Sequence, residues 1–240
     1  VLIVECLNAV YGTMVAALLY YKKFVKSLTK QGFKLNPYDG CVANKIVNGK
    51  QITVCFHVDD CKISHESTKV VDATIEWLRA EYESIFKDGS GAMKIHRGKV
   101  HKYLGMSLDF SHKGQCHVTM YDYLDGILQT FDAAVKKHGD GFKPVTKQRF
   151  KTPAPDNLFI VNKDCDKLLE AVSGDFHTIV AKTLYVTKRA RPDTCLAIAF
   201  LTTRVRAPDT DDWDKLCHVM EYLRGDRPLI LGADNNGLLM

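Results

Sequence analysis

The chain has 240 residues, of which 46% are hydrophobic and 25% are charged, and these proportions are typical of an ordinary globular protein. No run of residues is apolar over the length that a membrane span needs, so the composition does not predict a membrane protein. The formal net charge of +5 favours a polyanionic partner without deciding it.

Helical and strand patterns alternate over the first half of the chain. Apolar residues recur at helical spacing over residues 15–28 and again over 71–85. Between these predicted helices, the β-rich runs 41–47 and 51–57 are joined by Asn48-Gly49, a dipeptide that strongly favours a two-residue hairpin turn. A mixed α+β fold is therefore predicted.

The second β-rich run leads into two adjacent carboxylates, Asp59 and Asp60, and residues 62–64 continue as another strand. The acids therefore stand at a tight turn between antiparallel strands. Adjacent carboxylates repel one another, and a hard divalent cation such as Mg²⁺, which prefers oxygen ligands, relieves that repulsion. The turn is a candidate metal-binding site for phosphoryl transfer. The alternative that these residues leave open is an Asp-Asp turn that is only solvated.

The second half of the chain changes from sheet to helix. Residues 103–110 and 115–120 predict another hairpin, and residues 121–137 predict a helix. The Gly-, Pro- and Lys-rich stretch 138–156 is typical of a linker or a long exposed loop. Two or three further helices are predicted, roughly over residues 176–188, 193–204 and 210–224.

Charged residues gather in three places. One basic cluster consists of Lys94, Arg97, Lys99 and Lys102, and another extends over residues 136–151. Cations so spaced can neutralise nucleic-acid phosphates, although a solvated surface explains either cluster alone. The acidic run that begins at Asp209 lies at the start of a predicted helix, where capping explains it better than metal binding does.

Five short motifs follow one another along the chain. They are LNAVYG at 7–12, NPYDGCV at 36–42, HVDD at 57–60, YLGM at 103–106, and RPD at 191–193 with Trp213 and YLRG at 222–225. In kind and order they resemble ALYG, DPCVF, YVDD, FLG and TRPD…W…YLKG of the reverse transcriptase of copia-type LTR retrotransposons. Each motif is weak alone, and the resemblance rests on their order over nearly the whole chain.

The resemblance implies a truncated right-hand polymerase palm, an antiparallel sheet with packed helices, followed by a thumb and a helical connection region. Residues 1–120 would be partial fingers and palm with both hairpins, 121–156 a thumb helix and basic linker, and 157–240 the connection region before ribonuclease H. The implied partners are an RNA/DNA primer–template, deoxynucleoside triphosphates, and the polyprotein's integrase upstream and ribonuclease H downstream, with no membrane. An intracellular location is expected, either cytoplasmic in a virus-like particle or nuclear.

The resemblance also implies a role for each candidate site residue. Asp59 would be the catalytic, metal-binding acid and Asp60 its less directly coordinating neighbour. Two ions, Mg²⁺ or Mn²⁺, are expected only in the complete enzyme, where one activates the primer 3′-hydroxyl and the other holds the triphosphate. Gly12 and Val15 would belong to the nucleotide-binding region. The strand that supports the primer end would contain Tyr103, Leu104 and Gly105. The nucleic-acid backbone would be contacted by Lys94, Arg97, Lys99 and Lys102.

Departures from the family pattern lower the activity expected of this chain. Val15 stands where an amide side chain is expected, and His57 replaces Tyr. The family's third carboxylate lies on a strand upstream of the 7–12 motif, and the context of Glu5 does not match that strand. We therefore expect a polymerase fragment that is inactive alone, so whether the chain is an enzyme stays open. The alternative is a non-catalytic retrotransposon remnant that at most binds nucleic acid through its basic patches.

Overall fold

Two compact units, Val1–His96 and Arg97–Met240, make up the chain. The computed structural model describes residues 12–83, 92–139, 150–225 and 228–232, and only the backbone of Met14. Most of the 7–12 motif, Glu5 and most of the basic stretch 136–151 lie outside these described residues. The division into fingers and palm, thumb, and connection region at residues 120 and 156 stays a prediction.

Over its described residues, the first unit is a four-stranded antiparallel sheet with two helices. Its elements in chain order are α1 (Met14–Lys30), β1 (Lys34–Leu35), β2 (Val42–Val47), β3 (Lys50–His57), β4 (Asp60–Ser64) and α2 (Thr68–Tyr82). The strands pair in the order β1-β2-β3-β4. The helices and the three longer strands confirm the predicted α+β pattern of this segment, whereas β1 was not predicted.

Buried and more exposed residues alternate along β3, and this alternation identifies the buried face of the sheet. Ile52, Val54 and Phe56 are buried, while the residues between them are more exposed. The buried face packs against apolar side chains of both helices, among them Phe24 of α1 and Leu78 of α2. The core therefore lies between the sheet and the helices, and it supports the end of β3 that leads to the acidic turn.

The second unit is a small sheet with a helical bundle. Its elements are β5 (Val100–Tyr103), β6 (Met106–Asp109), β7 (Gln115–Thr119), α3 (Tyr121–His138), α4 (Glu170–Thr187), a 3-10 turn (Pro192–Thr194), α5 (Cys195–Arg204), α6 (Thr210–Leu223) and β8 (Leu229–Gly232). The strands are antiparallel in the order β5-β6-β7-β8. The bundle core includes Phe131 of α3 and Phe176 of α4, whose rings lie 5.8 and 6.4 Å from that of Trp213.

Two predictions for this unit were wrong. The strand expected over 103–110 is interrupted, because Leu104 and Gly105 form a turn between β5 and β6. The helix expected to begin at residue 176 begins at Glu170. Strand β8, which pairs with β7, was not predicted at all.

The acidic run at the start of α6 is a helix cap, as predicted. The Asp209 carboxylate accepts the Asp212 backbone N–H at 3.0 Å, and the Asp212 carboxylate accepts the Asp209 backbone N–H at 3.1 Å. Arg204 donates to both carboxylates. This reciprocal capping box satisfies two N–H groups at the helix start and leaves both acids buried and paired.

Acid is expected to destabilise the second unit. Three of its carboxyl groups, those of Asp175, Asp193 and Asp209, have a pKa below the ordinary 3.8. Burial alone would raise each pKa, but hydrogen bonds and nearby cations outweigh it. Because the folded state holds these protons less tightly than the unfolded state, their stabilising contribution is present above pH 3.8 and is lost as the pH falls through the folded pKa values. Urea unfolding followed by Trp213 fluorescence at several pH values tests this, and a stability that rises below pH 3.8 would contradict it.

Across the described ranges, none of the helices combines the length and apolar character that crossing a membrane requires.

Candidate functional site

The acidic hairpin is formed by the end of β3 and the start of β4. His57 pairs with Asp60 across the strands, so Val58 and Asp59 are the two central residues of the turn. Side chains 57–60 are exposed. The structure thus brings the two predicted acids together at a solvent-accessible strand end, as the sequence predicts.

The backbone of this turn is strained. Val58 has a φ of 53°, in the left-handed region that a β-branched side chain rarely adopts. A positive φ at the first central residue alone is typical of a type II′ turn, which normally has glycine there. Backbone strain of this kind costs about 1–3 kcal/mol and tends to persist at functional sites. The turn that presents the carboxylates is therefore held by its surroundings against a local conformational preference.

Replacing Val58 by glycine is expected to stabilise the first unit by about 1 kcal/mol. Relief of the strain exceeds the entropy that glycine adds to the unfolded chain. Urea unfolding followed by Trp77 fluorescence, in a Trp213→Phe background, measures the effect. Asn48→Gly is the matched control, because Asn48 has a nearly identical φ of 52° but tolerates it, so its gain should be smaller. A Val58→Gly variant less stable than the parent would contradict the assignment of strain.

An aromatic base from α1 lies beneath the hairpin. Tyr20 stacks on Phe24 with ring centroids 5.9 Å apart, and Phe24 contacts Phe56 edge-on at 4.9 Å. Phe56 pairs in register with Cys61, the residue after the second acid. Sequence reasoning missed Tyr20 and Cys61, although the helical spacing of Tyr20 and Phe24 was a usable signal.

Two groups beside the acids, the Tyr20 hydroxyl and the Cys61 thiol, are neutral at physiological pH. Desolvation, followed by the negative charge of Cys61, Tyr82 and Asp59, raises the pKa of Tyr20 to about 12. Desolvation, followed by Asp60 and Asp59, raises the pKa of the Cys61 thiol to about 11. Neither group offsets the charge of the two carboxylates, which are therefore available to a cation.

The donor set fits a magnesium ion only in part. Mg²⁺ is commonly held by one or two carboxylates together with substrate phosphates, and Asp59 and Asp60 can supply that number of ligands. Within the described ranges, no group of three or more His, Cys, Asp or Glu side chains is arranged to hold a metal ion. The described residues therefore provide two candidate acidic ligands without a third.

Gly12 and Val15, the predicted nucleotide-binding residues, lie at the start of α1. Gly12 has a positive φ of 87°, and Val15 in the first helical turn is 64% exposed. Val15 and Tyr20 are five residues apart on α1, which is roughly 8 Å along the helix axis. The same helix thus carries the predicted nucleotide-binding residue and the aromatic side chain beside the acids.

The motif predicted to support the primer end is a turn in the second unit. Leu104 and Gly105 both have positive φ, 50° and 77°, which is typical of a type I′ turn between the paired residues Tyr103 and Met106. Tyr185 of α4 donates its hydroxyl to the Leu104 carbonyl at 3.1 Å. A contact 81 residues apart in sequence therefore holds the turn, and sequence reasoning missed it.

Tyr185→Phe is expected to destabilise the second unit by about 1 kcal/mol. The substitution removes the hydroxyl that satisfies the Leu104 carbonyl, but it keeps the ring that lies 3.6 Å from the Arg189 guanidinium. Urea unfolding followed by Trp213 fluorescence measures the loss. Tyr123→Phe, on an exposed tyrosine whose ring contacts Tyr185, is the control and should change little. Equal effects of the two substitutions would show that the hydrogen bond does not hold the turn.

The basic residues singled out before the second hairpin are exposed. Lys94 lies in the first unit, whereas Arg97, Lys99 and Lys102 lie in the second. The ammonium of Lys102 is 3.6 Å from the Asp122 carboxylate, and both side chains are largely in water. Such an exposed pair contributes little to stability, so Lys102 can exchange this partner for a phosphate.

Three residues of the last motif, Arg191, Asp193 and Tyr222, form a hydrogen-bonded network in the second unit, in which Arg191 and Tyr222 are buried and Asp193 is partly exposed. Arg191, which is 4% exposed, donates to the Asp193 carboxylate from two nitrogens. Its Nε lies 3.1 and 3.3 Å from the two carboxylate oxygens, and its Nη2 lies 2.9 Å from one of them. The Tyr222 hydroxyl donates to the same carboxylate. The motif therefore joins the 3-10 turn to the end of α6, and its geometry is that of a structural element.

Comparison with known proteins gives one distant similarity. The chain is 24% identical over 227 residues to "Putative transposon Ty5-1 protein YCL074W" of Saccharomyces cerevisiae, an alignment that covers 95% of this chain and 66% of that protein. No protein-family model matches the chain, and no solved structure matches it. The chain is thus similar, over nearly all of its own length and about two thirds of the relative's, to a yeast transposon protein.

Proposed function

We propose that this chain is part of the RNA-directed DNA polymerase of a copia-type retrotransposon, and that the β3–β4 hairpin is its metal-binding element. The observation that carries the proposal is the turn itself, in which a strained Val58 holds Asp59 and Asp60 exposed at a strand end. The order of the five motifs and the similarity to a transposon protein support the same origin.

In this proposal Asp59 and Asp60 would hold Mg²⁺ or Mn²⁺ through their carboxylate oxygens. The bound ions would activate the primer 3′-hydroxyl and neutralise the triphosphate. The chain's own contribution is orientation, because the pairing of Phe56 with Cys61 and the stacking of Tyr20 on Phe24 fix the hairpin. The turn at Leu104, held by Tyr185, would support the primer end.

The exposed cations would bind the nucleic-acid backbone. Lysine and arginine side chains that neutralise phosphates release counterions, so this binding should weaken steeply as salt rises. Fluorescence anisotropy with a labelled RNA/DNA primer–template at 50 and 200 mM salt measures it. Replacing both Lys99 and Lys102 by glutamine should reduce the slope of log affinity against log salt by about 2. Lys163→Gln, on an exposed lysine far along the chain, is the control.

Primer extension separates the proposed enzyme from the alternative. With two acidic ligands brought together in the described residues, we expect the 240 residues to bind Mn²⁺ and primer–template but not to extend the primer. Efficient extension by this chain would overturn the expectation that a third carboxylate is needed. A chain that binds neither Mn²⁺ nor primer–template would overturn the proposed function.

The second candidate is a retrotransposon remnant that binds nucleic acid without catalysis. The observation that favours it is Val15, an apolar side chain 64% exposed at the position where an amide is expected near the nucleotide. Primer–template binding without Mn²⁺ binding at the acidic hairpin would identify this candidate.

A further inference from the structure

A cavity of about 290 Å³ lies in the first unit, away from the acidic hairpin. It is bordered by the residues after α1, by β2 and β3, and by the first turns of α2. Ile52 of β3 lines it, and Ile52 is five residues before His57, about 17 Å along the strand. Its size is at the lower end of the range for small-molecule sites, so it suits a small ligand.

Apolar side chains form one part of the cavity wall. Val47 and Ile52 from the sheet and Val70 and Trp77 from α2 line it. Ile52 is fully buried, whereas Trp77 is half-buried. An aliphatic or aromatic group of a ligand would therefore exchange water for apolar contacts here.

The border of the cavity is cationic. Lys45 donates its ammonium to the Gln31 carbonyl at 2.6 Å and lies 5.7 Å from the Phe33 ring centroid, so two further N–H donors of the ammonium remain for a ligand. Lys69 lies in the first turn of α2, where the helix dipole is positive and no acidic residue is present. Among the ion pairs of the described residues, neither lysine is paired with a carboxylate.

We infer that this cavity binds a small organic anion with an apolar body, such as a medium-chain carboxylate. Its carboxylate would be held by Lys45 and Lys69, and its chain would lie against Trp77 and the aliphatic wall. A nucleotide fits less well, because it carries several ribose hydroxyls and polar base edges. Besides the two lysines, the polar side chains that line the cavity are Gln31 and Thr74, and the Thr74 hydroxyl already donates to the Val70 carbonyl. The inference does not depend on the proposed function, since no residue of the acidic hairpin lines the cavity.

Octanoate and octanol are the test probes, because they share a chain and differ in charge. In a Trp213→Phe background, Trp77 fluorescence should change saturably with octanoate and at least tenfold more weakly with octanol. The double variant Lys45→Met, Lys69→Met should lose about tenfold in octanoate affinity. Lys50→Met is the matched control, because Lys50 is exposed, pairs with Glu66 and does not line the cavity.

Filling the cavity provides a second, independent variant. Ala73 lines the cavity and is exposed on α2, so Ala73→Trp should block octanoate binding while leaving the circular dichroism spectrum and thermal transition unchanged. If Ala73→Trp does not fold, the lysine variants decide the question. Equal affinity for octanoate and octanol, an unchanged affinity in the lysine double variant, or tighter binding of deoxyadenosine monophosphate than of octanoate would each overturn the inference.

Discussion

Asp193→Ala is expected to lower the free energy of unfolding of the second unit by about 3 kcal/mol. The substitution leaves Arg191, only 4% exposed, without the carboxylate that accepts hydrogen bonds from two of its guanidinium nitrogens. It also removes the acceptor of the buried Tyr222 hydroxyl. An uncompensated buried charge costs far more than the pair itself contributes, which is why the effect should be large.

Urea unfolding followed by Trp213 fluorescence in a Trp77→Phe background measures this loss. Asp125→Ala, on an exposed residue of α3, should change stability by less than about 0.5 kcal/mol. The double variant Arg191→Met, Asp193→Ala should recover much of the lost unfolding free energy, because it also removes the guanidinium charge that the single variant leaves unpaired. A double variant no more stable than Asp193→Ala would show that the guanidinium is not the source of the cost.

Replacing both hairpin acids by asparagine is expected to abolish Mn²⁺ binding to the first unit. Asparagine keeps the shape and hydrogen-bonding capacity of each side chain but removes the two negative charges that attract a hard cation. Amide NMR signals of residues 57–62 should broaden on addition of Mn²⁺ to the parent chain and stay sharp in the Asp59→Asn, Asp60→Asn variant. Of the single variants, Asp59→Asn should have the larger effect.

Glu66→Gln is the control for this experiment, because Glu66 is an exposed acid of the same unit that pairs with Lys50. In the Glu66→Gln variant, the amide NMR signals of residues 57–62 should broaden on addition of Mn²⁺ as they do in the parent chain. Broadening that persists at residues 57–62 in the double variant would assign the ion to other ligands and remove the metal role of the hairpin.

Local signals in the sequence were sufficient for most elements. Asn48-Gly49 specifies its turn because both residues tolerate a positive φ, and they adopt 52° and 76°. The apolar stripes of α1 and α3 identify those helices, since 3.6-residue periodicity aligns the side chains that must be buried. The cap formed by Asp209 and Asp212 was also predictable, because its two partners are only three residues apart in the sequence.

Non-local features were missed because their partners are far apart along the chain. Strand β8 forms by pairing Leu229–Gly232 with β7, more than one hundred residues earlier, and no short-range pattern marks it. The turn at Leu104 breaks a predicted strand because Leu104 adopts a conformation that leucine disfavours and Tyr185 stabilises.

For the candidate site, the sequence by itself determined that Asp59 and Asp60 stand together at a turn, because an adjacent pair between two short strands can lie nowhere else. Only the tertiary structure decided how that turn is held. Tyr20, Phe24 and Phe56 pack together at the end of β3, and in the turn that follows Val58 has a φ of 53° that its own side chain opposes. Tertiary contacts can impose such strain because many small packing energies together exceed one local conformational preference.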